Sequence, residues 1–148
     1  MRKTVIAAAL GASFVVGAAV SAQVVPRVFD NGSVWTVTYV DVKPGHGNAY
    51  MKWLKDVQRP RIEHRKKEGD ILSYRVLSVM APRDTDPDVV ILTEFRNMAV
   101  FDRAPSYFEE LDRRFAGSLE GRQKQLADVR EMTDPRGSLM ARELRWTQ

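Results

Sequence analysis

The chain has 148 residues, 44% hydrophobic and 28% charged, with a formal net charge of +4 and no cysteine. That length supports one ordinary domain able to bury a core without covalent staples. Lack of cysteine removes disulfides, thiolate nucleophiles, iron–sulfur clusters, Cys-ligated zinc and a lipid-bearing cysteine together, and the two histidines, His46 and His64, are too few for a His-rich metal site.

Arg2 and Lys3 carry the only charges before Gln23, and the Ala-rich run Val5 to Val20 is uncharged. A short basic start, an apolar stretch and the small residues of Val20-Ser21-Ala22 predict a signal peptide over residues 1–22, cleaved after Ala22. The apolar run is shorter than the roughly 20 residues a spanning helix needs, and no basic stop-transfer cluster follows. The expectation is a periplasmic or secreted protein with no membrane span once the signal is removed. Cleavage takes away two of the net positive charges, and export sets nucleic acid aside as a partner.

In the remaining chain, residues 23–33 read as an N-terminal arm, with Pro26, Asn31 and Gly32 as turn signals. Val34 to Val42 (VWTVTYVDV) is β-branched and aromatic and stops at Lys43-Pro44-Gly45, which predicts a strand. From Gly47 the period changes: Tyr50, Trp53, Leu54 and Val57 recur at helical spacing. Pro60 lacks an N–H and predicts a kink or restart, after which helix runs to a stop at Gly69. Ile71 to Met80 and Val89 to Arg96 predict two strands of an antiparallel hairpin around an RDTDP turn. Ala104, Phe108, Leu111, Phe115 and Leu119 then step as a helix that is expected to continue past Gly117 and Gly121 to Val129. Asp134-Pro135-Arg136-Gly137 reads as a turn, and Leu139 to Trp146 as the last strand.

The order β-α-β-β-α-β defines an α+β, ferredoxin-like domain over residues 34–148, an antiparallel sheet with helices on one face. Two helices cover only one face of such a sheet. Because both faces of the strands carry large apolar groups, the uncovered face predicts association, most simply as a face-to-face homodimer. The segment Val37-Thr38-Tyr39-Val40-Asp41-Val42-Lys43-Pro44-Gly45, the strand Ile91-Leu92-Thr93-Glu94-Phe95 and the following Ala99-Val100-Phe101-Asp102 resemble the dimeric α/β-barrel superfamily, which includes antibiotic-biosynthesis-monooxygenase-like, EthD-like and NIPSNAP-like domains. The resemblance spans roughly Val34 to Trp146 at the level of fold. It implies a dimer with a pocket between sheet and helices; the chemistry of such proteins ranges from cofactor-free oxygenases and isomerases to haem enzymes and proteins without a known reaction.

Candidate site residues are weighed against plainer roles. Counting 50, 53/54, 57, 60/61, 64 places His64 near the apolar stripe of the first helix, as a general base or an axial haem ligand; the alternative is a histidine of a charged helix end. His46, between two glycines ahead of that helix, either orients an anionic ligand or fills a turn. Arg75 and Glu94 interrupt apolar strands, and a hairpin register with Val79 opposite Val90 sets them face to face, as ligand anchors or as a cross-strand ion pair. Tyr39 and Asp41 share one face of the first strand. Trp53 and Tyr74 offer aromatic surface to an apolar or aromatic molecule, or simply belong to the core, and Tyr74 joins His64, Arg75 and Glu94 as a candidate catalytic polar group. The basic run from Arg59 to Lys67 is interspersed with Glu63 and reads as a solvated helix face. The expected metal set is none and no cofactor is expected, with haem as the one group the fold leaves open. Two functions follow: a small-ligand pocket with an oxygenase- or isomerase-like reaction, or a non-catalytic dimeric module of the cell envelope.

Overall fold

The computed structural model describes residues 27–80 and 83–147. The signal peptide expected over residues 1–22, and residues 23–26 of the expected arm, lie outside them. Four strands, β1 (Phe29–Val42), β2 (Ile71–Ser78), β3 (Val89–Phe95) and β4 (Thr133–Trp146), form one sheet in the order β2-β3-β1-β4, every neighbouring pair antiparallel. Between β1 and β2 run α1 (Gly47–Trp53), a π-helical turn (Leu54–Gln58) and α2 (Arg59–Lys67); between β3 and β4 run a 3₁₀ turn (Met98–Phe101), α3 (Pro105–Ala116) and α4 (Leu119–Met132). This is the ferredoxin-like arrangement, with all the helices on one face of the sheet.

Alternation along the strands sets that face. Val34, Val40, Val89 and Phe95 are buried and turn toward the helices, where they meet Tyr50, Leu54 and Ile62. The core divides into two clusters: Val34, Ile62, Ile71, Phe95 and Val100 at one end, and Val40, Tyr50, Leu54 and Val89 at the other. No helix of the described residues is long and apolar enough to cross a membrane.

The π turn has a local cause. Pro60 has no N–H to donate to the carbonyl one turn back, and its ring crowds that carbonyl, so the helix widens just before it. At Gly69, φ is +77°, which ends α2 where the sequence predicted.

Elsewhere the boundaries depart from expectation. β1 begins at Phe29, so Phe29 to Ser33 belong to the strand and not to an arm. The Asn31-Gly32 signal is a bulge in the ladder with β4 rather than a turn. Glu143 fills the space over Gly32 and accepts hydrogen bonds from the Ser33 amide (3.3 Å) and hydroxyl (3.2 Å). β4 starts at Thr133, so the expected turn Asp134 to Gly137 is strand. An edge strand tolerates Pro135, and a register shift between Tyr39 and Val40 absorbs the irregularity. The long second helix is two helices: Gly117, with φ of +77°, breaks it, and the Ser118 hydroxyl accepts from the Gly121 amide (2.9 Å) to start α4. The hairpin register also differs. Tyr74 pairs with Thr93 and Arg75 with Leu92, because the loop between Ser78 and Val89 is longer than assumed; a bulge between Ile71 and Ser73 shifts only the far end of the ladder.

Candidate functional site

A cavity of about 500 Å³ lies between the helix-facing side of the sheet and α1, the π turn, α2 and α4. Its floor is the inward row of three strands, where the expected apolar pattern gives way to Thr36, Thr38 and Thr93. Its walls are apolar: Tyr50, Trp53 and Leu54 from α1 and the π turn, Leu126 and Val129 from α4. Small-molecule sites commonly have about this size and this mixture, apolar walls with a few polar groups.

Three of the polar groups are unusual. The Trp53 Nε1, the Arg65 Nε and the Tyr74 hydroxyl belong to residues that line the cavity, are withdrawn from solvent, and have no hydrogen-bond partner among the described residues. Buried polar atoms are nearly always paired, and leaving one unpaired costs about 1–3 kcal/mol. All three can donate, while the threonine hydroxyls and Gln58 of the lining can both donate and accept. Burial pushes the Tyr74 hydroxyl up to about 12, with Tyr50 nearby adding to the effect, and burial does the same to Tyr50. Both phenols therefore keep their protons at neutral pH and serve as donors, not bases. Arginine stands at the wall as well, as Arg65, Arg122 and the more exposed Arg130. Among the described residues, no Asp, Glu or His side chain lines the cavity.

The candidates named from sequence separate into two groups. Trp53 and Tyr74 are brought together at the cavity. His64 is not: its ring packs against Phe115 (centroids 5.4 Å apart) and its Nε2 lies 3.3 Å from Glu68 Oε1. The π turn explains the displacement. One extra residue in the turn rotates everything after it, so positions 58, 62 and 65 reach the cavity where 57, 61 and 64 were expected. The imidazole considered as an axial haem ligand thus faces α3, and haem has no histidine at this cavity.

Arg75 and Glu94 lie on the sheet face away from the helices, offset by the observed register; Glu94 accepts from the Ser73 hydroxyl (2.9 Å) instead. Tyr39 and Asp41 share that face. Asp41 is ion-paired with Arg136, which also donates to the Thr85 carbonyl at 2.9 Å and so ties down the β2–β3 loop. His46 caps the start of α1 through its backbone and is absent from the lining. Sequence reasoning overlooked Arg65, Arg122 and the three threonines. The threonines left a signal, since Thr36, Thr38 and Thr93 interrupt strands at inward positions; Arg65 was hidden in a basic run.

No protein-family model matches the chain, and no curated protein matches it in sequence. Solved structures do match its fold. HapK from Hahella chejuensis aligns over 78% of this chain and 96% of its own, with 9% identity and a TM-score of 0.52. A Shewanella oneidensis protein aligns over 79% of this chain and 96% of its own, with 15% identity and a TM-score of 0.50. A dimeric ferredoxin-like protein from an uncultured marine organism covers 79% of this chain and 90% of its own, at 8% identity and a TM-score of 0.50.

Proposed function

We propose that this is an exported, self-associating ferredoxin-like protein that binds a small, largely apolar molecule in the cavity between sheet and helices. The observation that carries the reading is the set of unpartnered donors on Trp53, Arg65 and Tyr74, residues that line a cavity with largely apolar walls. A ligand bearing acceptor oxygens would supply the partner such donors lack, with its apolar body against the Tyr50, Leu54 and Leu126 walls. Binding is favoured over turnover because neither an imidazole nor a carboxylate stands at the wall to take a proton. Self-association is supported by the apolar sheet face opposite the helices and by the dimeric state of the marine relative. Export rests on the residues 1–22 pattern alone.

Native mass spectrometry of the protein purified from a bacterial periplasm tests the three parts together. The expected spectrum is a dimer beginning at Gln23 that carries a small adduct, with the adduct lost or weakened about tenfold in Tyr74→Phe. A monomer would remove the self-association, an uncleaved Met1 start the export, and an adduct held equally by Tyr74→Phe the role of the tyrosine.

A further inference from the structure

We propose that the cavity takes its ligand as an anion, a carboxylate attached to an apolar body, held by the guanidinium groups of Arg65 and Arg122. The proposal rests on the cavity being a ligand site and names the chemistry it selects.

Charge balance around the wall carries the argument. Arg65 and Arg122 line the space and no carboxylate of the described residues does. Both are mostly withdrawn from water, their side chains 14% and 19% exposed. Each leans on a carboxylate that another arginine holds more tightly. Asp112 lies 2.6 Å from Arg61 Nη1 but 3.9 Å from Arg122 Nε. Asp70 is in closer contact with Arg103, while Arg65 Nη2 stands 3.8 Å away. The Tyr107 hydroxyl donates to the same Asp70 oxygen at 3.1 Å. Two carboxylates thus serve four guanidinium groups, and the surplus charge falls on Arg65 and Arg122, the two cavity arginines held out of water; Arg130, the third arginine of the lining, is exposed.

A cation held out of water without a close partner is costly, and a bound anion relieves that cost through short, charge-assisted hydrogen bonds. The Arg65 guanidinium also lies 5.4 Å from the centre of the Phe95 ring, which attracts a cation without neutralising it. Burial and the neighbouring Arg61 lower the Arg122 pKa, the sign expected for a cation short of negative charge; Asp112 only partly offsets this. Geometry ties the pair together, since Arg61 sits one helical turn from Arg65 and shares Asp112 with Arg122. Tyr50, Trp53, Leu54 and Leu126 form the apolar stretch of the wall, which takes the apolar body of the ligand while Arg65 and Arg122 hold its anion.

The test compares acids with their alcohols by calorimetry on the purified protein: 2-naphthoate against 2-naphthalenemethanol, and decanoate against decanol. Within at least one pair the acid is expected to bind at least tenfold tighter. Arg122→Gln should shrink that preference to about twofold, while Arg122→Lys, which keeps the charge, retains most of it. Quenching of indole fluorescence that disappears in Trp53→Phe locates the probe in the cavity. Equal affinity for acid and alcohol in both pairs overturns the anion while leaving the cavity a ligand site. Failure of all four compounds to bind overturns the ligand site itself. The comparison on the unmodified protein decides the matter even if Arg122→Gln does not fold.

Discussion

On the helix side of the sheet, Thr36, Thr38 and Thr93 lie beneath α1, α2 and α4, facing donors that have no partner. On the other side, the rows Arg75–Leu92–Val37–Leu139 and Leu77–Val90–Tyr39–Gly137 run across all four strands, with no element of the described chain packed over them. There Glu94 accepts from Ser73 and Asp41 pairs with Arg136 through one oxygen, its other oxygen buried without a partner among the described residues, while Leu77 and Leu139 are 46% and 44% exposed. The same strands therefore leave opposite deficits on their two faces. One keeps buried donors without partners and the other lacks apolar cover. A small polar-tipped molecule answers the first and a second protein surface answers the second.

The contrast is easiest to break at the core that holds the helix side together. Ile71 is 2% exposed and packs in the cluster with Val34 and Phe95, so Ile71→Ala is expected to cost about 3 kcal/mol. Chemical denaturation should show a lower midpoint with an unchanged slope; a loss under about 1 kcal/mol would mean the helix layer is loosely packed. On the open face, Leu92→Lys places a charge at the centre of the apolar rows, twice over in a symmetric dimer. It is expected to raise the dimer dissociation constant about a hundredfold, or about 2.7 kcal/mol, with the folded monomer intact. Sedimentation that stays unchanged would show that the subunits meet elsewhere.

The smallest effect is a matter of pH. The Tyr50 pKa rises from 10.0 to about 12 because burial disfavours the phenolate. The unfolded chain ionises first, so the stability conferred by the protonated phenol is complete below pH 10 and is lost as pH climbs toward 12. For this one residue the loss is of order 2 kcal/mol. Phenolate absorbance titrated alongside unfolding checks it, and ionisation of all tyrosines near pH 10.0 would refute a closed helix side.

Much of this arrangement is legible in the residues. Strand and helix order follow from the change of period at Gly47, and the fold follows from the order. Trp53 could be placed at the cavity because it precedes the π turn, and Tyr74 because the ladder is regular from Ser73 onward, past the β2 bulge. His64 could not, since a single π turn ahead of Pro60 rotates the helix by one residue, and periodicity counted through it carries the error forward. Arg75 and Glu94 were set opposite each other for a related reason: the length of the connecting loop sets a hairpin's register and leaves no clear mark in composition. The bulge at Gly32 and the strand through Pro135 were missed because the same residues also favour turns; only the partner strand decides between the two.

The ladder between β1 and β4 has a consequence for how the molecule forms. It pairs Phe29 with Trp146 and Val42 with Thr133, joining the first and last strands of the described chain. β1 lies inside the sheet, so until β4 arrives one of its edges is bare and Ser33 and Gly32 lack the cover of Glu143. Contacts of such long sequence separation form late and fold slowly. A polypeptide released in stages, from one end to the other, would therefore stay open until its final strand appears, and would close in a single late step.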